Sequence, residues 1–135
     1  QRQMCIRDRD KYGERNEMKC DGDTPIDIPL AVLVNENSAS ASEIFAGAVK
    51  DYEIGTIVGT TTYGKGIVQS IRQLSDGSAV KLTTAKYFTP KGNDIHKVGI
   101  TPDVEVKLDA SLLNKTEISH EEDNQLQAAI QAVSR

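Results

Sequence analysis

Two short apolar runs on either side of a helical pattern constrain this chain more than any other feature of its sequence. Residues 29–35 form one continuous apolar run, and residues 56–59 form another. Runs of this kind are typical of strands that are buried on both faces of a parallel sheet. Between the runs, apolar residues recur every three to four positions, as they do on one face of an amphipathic helix. The sequence therefore predicts a right-handed βαβ unit and an α/β fold class.

The start of the predicted helix is marked by Ser40 and Glu43, which have the spacing of a capping box. Gly55 is placed to end this helix. Ser40 would thus lie at a strand-to-helix turn, close to the free backbone N–H groups of the first helical turn. Those groups, and the N–H of Ala41 in particular, can stabilise an oxyanion. Because serine is also among the commonest N-cap residues, this position alone leaves a purely structural role open.

Downstream of the βαβ unit the pattern changes to that of a hairpin. Residues 67–74 and residues 79–89 alternate apolar and polar side chains on either side of a Ser-Asp-Gly-Ser turn. Residues 104–106 predict a short edge-like strand, since they closely follow a proline. Residues 121–133 predict an amphipathic helix with acidic residues in its first turn and Arg135 at its end, which suits the helix dipole.

The composition excludes several classes of protein. A net charge of −4 argues against a nucleic-acid partner, because nucleic-acid modules normally carry a basic face. With 38% hydrophobic and 27% charged residues, the chain is too apolar for disorder and too polar for a membrane bundle. Two cysteines and two histidines without a close cysteine pair exclude a zinc-finger framework.

A serine nucleophile needs a base, and three side chains of this sequence are candidates. Histidine is the usual base, but His96 and His120 stand in no recognisable catalytic context. Lys65 is flanked by two glycines, which allow a sharp turn or a close approach of another backbone. A lysine of this kind could serve in a Ser–Lys dyad.

The glycines around Lys65 also raise the alternative of a phosphate-binding loop. Gly59 precedes Gly64 and Lys65 at the spacing of a P-loop. Gly66, however, stands where a P-loop has the Ser or Thr that binds the metal, and the segment leads into a predicted strand instead of a helix. We therefore reject nucleotide binding.

Taken together, the motifs resemble those of the carboxyl-terminal processing peptidases, also called tail-specific proteases. The resemblance rests on residues 34–44, with the run Ser-Ala-Ser-Ala-Ser-Glu, and on residues 59–69, with Gly-Lys-Gly followed by Gln. Residues 87–92 and 98–103 are also similar to the family. The resemblance covers residues 29–106. It implies a partial Clp protease/crotonase-like core, consisting of a βαβ unit, a β-hairpin and a C-terminal helix.

The resemblance implies a serine endopeptidase that cuts protein substrates near their C-termini through an acyl-enzyme. It places the nucleophile at Ser40 and the general base at Lys65, 25 positions later. Gln69 matches the residue that positions the lysine, and the backbone N–H of Ala41 matches one oxyanion donor. The family's second oxyanion donor is a glycine upstream of this sequence. No metal, nucleotide or other cofactor is implied.

A Ser–Lys dyad needs surroundings that favour a neutral amine. A free lysine has a pKa of about 10.4 and is a poor base at neutral pH, whereas an apolar pocket and a helix N-terminus lower such a pKa. Tyr63, Ile67 and Val68 are the expected apolar walls. Because no carboxylate lies within residues 59–69, none is expected to work against the dyad.

The sequence divides into three parts. Residues 1–9 resemble the translation of a transposon-end adapter used in DNA sequencing libraries, so we expect a non-native segment without regular structure. Residues 10–28 predict a polar loop region, with a fraying hairpin as the alternative. Residues 29–135 are expected to be the C-terminal part of a tail-specific protease catalytic domain.

Further expectations concern the parent protein. The resemblance implies an extracytoplasmic location in the cell envelope, with a PDZ domain and a membrane anchor upstream. The residues of the motifs favour a bacterial source. We expect the isolated chain to be inactive, because it lacks the upstream oxyanion donor and half of the core. The alternative is a non-catalytic module of the same fold that binds a ligand or peptide, since fold does not fix function.

Overall fold

The computed structural model describes residues 6–18 and 27–134. These residues form two β-sheets, two α-helices and one short 3-10 helix, Ala110–Leu112. The strands are β1 (Ile6–Asp10), β2 (Arg15–Met18), β3 (Ala31–Val34), β4 (Thr56–Gly59), β5 (Ile67–Gln73), β6 (Ala79–Phe88) and β7 (Val104–Glu105). The α-helices are α1 (Ala41–Asp51) and α2 (Asn124–Val133).

The predicted βαβ unit is formed by β3, α1 and β4. Strands β3 and β4 are parallel, with Val32 opposite Ile57, and β7 adds a third parallel strand beyond β4. On α1, Ala46 and Val49 belong to the same buried cluster as Val34 and Ile57. Helix α2 packs against β3 and β4. The core therefore lies around the unit that carries Ser40 to its position.

Strand β3 is less buried than the sequence predicted. Leu33 is 44% exposed, and Val34 is the one residue of this strand that is buried. The reason is the strand order β3-β4-β7, which puts β3 at an edge of the sheet formed by the described residues. In the central strand β4, by contrast, Ile57 and Val58 are fully buried.

The second sheet is antiparallel and has the order β2-β1-β6-β5. It contains the predicted hairpin of β5 and β6, closed by a hydrogen bond of 2.8 Å from the backbone N–H of Leu74 to the carbonyl oxygen of Ser78. The register of the hairpin shifts once, between Val68 and Gln69. Beyond this shift the pairing is regular to the end of β5.

The N-terminal region departs from the prediction. Residues 6–10 form β1, which pairs with β6 and β2, so the expectation that residues 1–9 lack regular structure is wrong for the described part. The physical reason is that β6 offers unpaired N–H and C=O groups along the edge opposite β5, which an extended segment can satisfy. Strand β2 shows that the hairpin alternative, and not the loop, holds for residues 10–18. Residues 1–5 and 19–26 lie outside the described residues, and the adapter origin stays a prediction.

Both α-helices differ slightly from their predicted limits. Helix α2 begins at Asn124 and not at 121, because the Asp123 carboxylate caps it by accepting the N–H groups of Gln125 (3.0 Å) and Leu126 (2.9 Å). The first turn of α2 holds no acidic residue, so the predicted match to the dipole is replaced by this cap. Helix α1 ends at Asp51, with Tyr52 as its C-cap residue, and so stops before Gly55. No helix within residues 6–18 and 27–134 combines the length and the apolar character that crossing a membrane requires.

Candidate active site

Ser40 occupies a strained turn between β3 and α1. Its φ of 58° and ψ of −113° form a combination that is rare for residues other than glycine. A backbone conformation of this kind costs about 1–3 kcal/mol and is concentrated at functional sites. Helix α1 begins at the next residue, so the prediction that Ser40 lies at a helix N-terminus is confirmed. The serine of a nucleophile elbow is held in the same way, on a sharp and strained strand-to-helix turn.

The N-terminus of α1 places hydrogen-bond donors beside Ser40. The backbone N–H groups of Glu43 and Ile44 both donate to the Ser40 carbonyl oxygen at 3.0 Å. The N–H of Ala41, at the first helical position, has no acceptor within the helix. Because this N–H lies next to Ser40 at the positive end of the helix dipole, it is suited to an oxyanion.

The carboxylate of Glu43 joins the turn of Ser40 to the loop that carries Lys65. Glu43 is fully buried. One carboxylate oxygen accepts the N–H groups of Ser40 (2.9 Å) and Lys65 (2.8 Å). The other accepts the N–H of Gly64 and the hydroxyl of Thr62, both at 2.6 Å. Four donors therefore compensate the buried charge, in the way that buried polar groups require.

This role of Glu43 exceeds what the capping-box spacing predicted. The box is present, because the Glu43 carboxylate accepts the Ser40 N–H at 2.9 Å. The carboxylate also reaches Thr62, whose hydroxyl oxygen accepts the N–H of Ile100 at 2.7 Å. No carboxylate lies within residues 59–69, but the Glu43 carboxylate reaches the Lys65 backbone N–H from α1, a contact that the sequence around Lys65 did not predict.

The two glycines around Lys65 fix its position. Gly64 has a φ of +86°, a region that residues with side chains rarely adopt. A Cβ at Gly66 would lie 2.6 Å from the backbone nitrogen of His96, so the close approach predicted for this segment is observed. The carbonyl oxygen of Gly66 accepts the N–H of Tyr87 at 2.9 Å. Lys65 thus extends from a backbone that is held on both sides.

One cleft of about 280 Å³ brings the predicted site residues together. Ser40 and Lys65 line it and are each half-buried, and Gln69 lines it from β5. Of the expected apolar walls, Tyr63 is 68% exposed and does not line the cleft, and Tyr87 of β6 contributes in its place. The lining residues are Ser40, Lys65, Ile67, Val68, Gln69, Lys81 and Tyr87.

The histidines do not join this arrangement. Neither is among the described residues that line the cleft. His96 lies against Gly66, and its Nδ1 is buried without a hydrogen-bond partner among the described residues. His120 is exposed in the turn before α2. Of the three candidate bases predicted from the sequence, Lys65 is therefore the one that lines the cleft with Ser40.

The family model and the relatives found by comparison with known proteins are all peptidases. The model of peptidase family S41 matches residues 2–106. A carboxyl-terminal-processing protease of Synechocystis sp. is 46% identical over 120 residues, which are 89% of this chain and 28% of that protein. A chloroplastic C-terminal processing peptidase of Tetradesmus obliquus is 50% identical over 99 residues, which are 72% of this chain and 21% of that protein.

A solved structure shows the same fold. The photosystem II D1 C-terminal processing protease matches with a TM-score of 0.71 and 47% identity, over 76% of this chain and 27% of that chain. The resemblance drawn from residues 29–106 is confirmed by these matches, as is the partial Clp protease/crotonase-like fold class. The chain spans 28% and 21% of the length of the two curated relatives.

Proposed function

Because the chain belongs to peptidase family S41, we propose that it carries the Ser–Lys dyad of a serine endopeptidase that cuts proteins near their C-termini. The names of the relatives from Synechocystis sp. and Tetradesmus obliquus support the C-terminal specificity. The observation that carries the proposal is the shared cleft of Ser40, Lys65 and Gln69. Glu43 adds support, since its carboxylate binds the backbone N–H groups of both members of the dyad.

The reaction proceeds in two stages. The neutral amine of Lys65 takes the proton of the Ser40 hydroxyl as the serine oxygen attacks the scissile carbonyl carbon. The oxyanion that forms accepts a hydrogen bond from the N–H of Ala41. Lys65 then gives its proton to the departing amine, which leaves an ester on Ser40. In the second stage Lys65 takes a proton from a water molecule as the water oxygen attacks the ester carbonyl carbon. Lys65 then returns this proton to the departing Ser40 oxygen, which releases the carboxylic acid product and regenerates the enzyme.

Gln69 acts as a positioning residue. It lies four residues beyond Lys65 on β5 and lines the same cleft. Its amide oxygen can accept a hydrogen bond from the lysine amine without adding a negative charge that would favour protonated lysine. Gln69 would therefore orient the base while leaving it able to accept a proton.

The proposal extends to the parent protein. The chain spans only 28% of the Synechocystis relative, and the family's second oxyanion donor is expected upstream. We therefore propose that catalysis needs more of the polypeptide than these 135 residues. An extracytoplasmic location, a PDZ domain and a membrane anchor are part of the same proposal and rest on family resemblance.

The test is cleavage of an unstructured protein with an apolar C-terminus by the full-length protein that contains this chain. Mass spectrometry should find products cut near the C-terminus, and stopped reactions should contain enzyme heavier by one acyl fragment. Ser40→Ala should remove both signals. The matched control is Ser78→Ala, in the exposed turn between β5 and β6, which should change neither. Substrate binding without cleavage by the unaltered protein would refute the proposal and favour the binding module.

A further inference from the structure

The cleft contains a second lysine that the proposed mechanism does not use. Lys81 lines the same space of about 280 Å³ as Ser40, Lys65 and Gln69. Neither the family motifs nor the comparisons assign a role to this residue. Since it is exposed at the cleft, its charge is available to a bound molecule.

The register of the hairpin explains why Lys81 faces the dyad. Lys81 lies opposite Ile71, and Thr83 lies opposite Gln69. Alternate residues of a strand point to the same face, so Gln69 and Ile71 share a face, and their partners Thr83 and Lys81 share it with them. Lys81 is therefore the diagonal neighbour of Gln69 on the face of the hairpin that borders the cleft.

No carboxylate among the described residues pairs with Lys81, whereas four other lysines each contact a carboxylate. No Asp or Glu is among the described residues that line the cleft. The Glu43 carboxylate, which contacts the backbone of Ser40 and Lys65, is already engaged by four other donors. The paired lysines are Lys50, Lys86, Lys91 and Lys115.

The cleft therefore differs in charge from the chain as a whole. It is lined by two lysines and no acid among the described residues, in a chain with a net charge of −4. A free ammonium group at a binding cleft favours an anionic partner, and it can donate up to three hydrogen bonds to one. In a protein or peptide substrate, the anion that fits this group is a carboxylate.

We propose that Lys81 is a specificity-determining residue that binds a carboxylate of the substrate near the scissile bond. The inference rests on the proposed peptidase function and adds the substrate class to it. Two sources share this chemistry, namely the C-terminal carboxylate of the substrate and the side chain of a nearby Asp or Glu. Because the proposed mechanism assigns Lys65 to proton transfer, Lys81 is the other lysine of the cleft that can bind this carboxylate.

The experiment uses the full-length protein and four fluorescent peptides with one common core. The peptides end in a free carboxylate or an amide, and carry Glu or Gln two residues beyond the scissile bond. Each carboxylate is present in two of the four peptides and absent from the other two. For the unaltered protein we expect one of the two carboxylates to raise kcat/KM and affinity by roughly fivefold, as for an ion pair at the surface. Lys81→Met should abolish this preference and Lys81→Arg should retain it. The preferred carboxylate identifies the source.

The control variant is Lys86→Met, on the same strand but paired with Asp94 outside the cleft, and it should keep the preference. A preference that is absent from the unaltered protein, or unchanged in Lys81→Met, would overturn the inference. So would a Lys81→Met variant whose kcat/KM for the neutral peptide shifts along the pH axis, because Lys81 would then act on Lys65. Fluorescence anisotropy measures peptide affinity without cleavage, so it tests the role of Lys81 separately from the peptidase proposal. If no peptide is cleaved, a Lys81-dependent affinity still supports the inference while the peptidase proposal fails.

Discussion

Glu43 accepts a hydrogen bond of 2.8 Å from the backbone N–H of Lys65, which lies 22 residues further along the chain. The same oxygen accepts the N–H of Ser40 at 2.9 Å. One buried side chain therefore fixes the backbone of the proposed nucleophile relative to that of the proposed base. A displacement of about 1 Å can reduce the rate of a catalysed reaction by two orders of magnitude, so this connection bears directly on activity.

We predict that Glu43→Gln reduces both stability and activity. An amide of the same shape has one acceptor oxygen, and its NH₂ group would face two of the four donors that now contact the carboxylate. Each buried donor left without an acceptor costs about 1–3 kcal/mol. Urea unfolding should show a lower free energy of unfolding, and kcat/KM should fall at least tenfold, which corresponds to about 1.4 kcal/mol.

The control for this prediction is Glu121→Gln, at an exposed residue in the turn before α2. Its unfolding curve and kcat/KM should match those of the unaltered protein. Equal activity of Glu43→Gln and Glu121→Gln would show that the position of Lys65 does not depend on the carboxylate.

The elements around the site were predictable because local patterns determine them. The apolar run before Ser40 and the helical period after it gave the turn, and the alternation after Lys65 gave the hairpin. The contacts of Glu43 were not predictable, because the Ser-x-x-Glu spacing is the same whether the glutamate only caps the helix or also binds residues far along the chain. Only the folded chain brings Thr62 to that carboxylate. The place of Lys81 in the cleft was not predicted either, because its pairing with Ile71 is a contact of the folded hairpin that the alternation of residues 79–89 does not specify.

Ser40→Gly should produce a more stable protein than Ser40→Ala, although neither should cleave substrate. Alanine keeps the unfavourable φ of 58°, whereas glycine adopts positive φ values without steric strain. We expect a difference of about 1 kcal/mol in the free energy of unfolding. Relief of the backbone strain favours the glycine variant, whereas the larger entropy of glycine in the unfolded chain offsets part of this gain. Chemical denaturation of both variants measures it. If alanine were the more stable, the Ser40 backbone would not be strained.

Acid should weaken the connection between α1 and β4 that Asp103 makes. Burial raises the pKa of Asp103. Hydrogen bonds from the Lys50 ammonium and the Ile57 N–H, together with the Lys50 charge, lower this pKa by more than burial raises it, so the net shift is downward. A depressed pKa contributes stability that is present above the unfolded value of about 3.9 and is lost as the pH falls through the folded value. The melting temperature of Asp103→Asn should therefore lie below that of the unaltered protein at pH 7, and the gap should narrow below about pH 4.

The matched control is Asp27→Asn, at an exposed residue just before the βαβ unit. Its melting temperature should follow that of the unaltered protein at every pH. Because the Lys50 and Asp103 side chains are 37% and 38% exposed, the whole effect should be modest and should shrink in high salt. A gap for Asp103→Asn that stays constant from pH 7 to pH 3 would assign it to lost packing and not to the charge.

In the full-length protein, Lys65→Ala should abolish cleavage and Lys65→Arg should not restore it. Arginine remains protonated at any ordinary pH and cannot accept the proton of Ser40. The double variant Ser40→Ala/Lys65→Ala should lose little more activity than either single variant, because the two residues act as a unit.

Gln69→Ala should retain part of the activity, since Gln69 is proposed to orient the base and not to act as the base. The measurement is kcat/KM by mass spectrometry of the products, with the isolated 135-residue chain as a sample that should show little or no cleavage. Cleavage by Lys65→Ala at neutral pH would refute the dyad, and full activity of the isolated chain would refute the need for the rest of the catalytic domain.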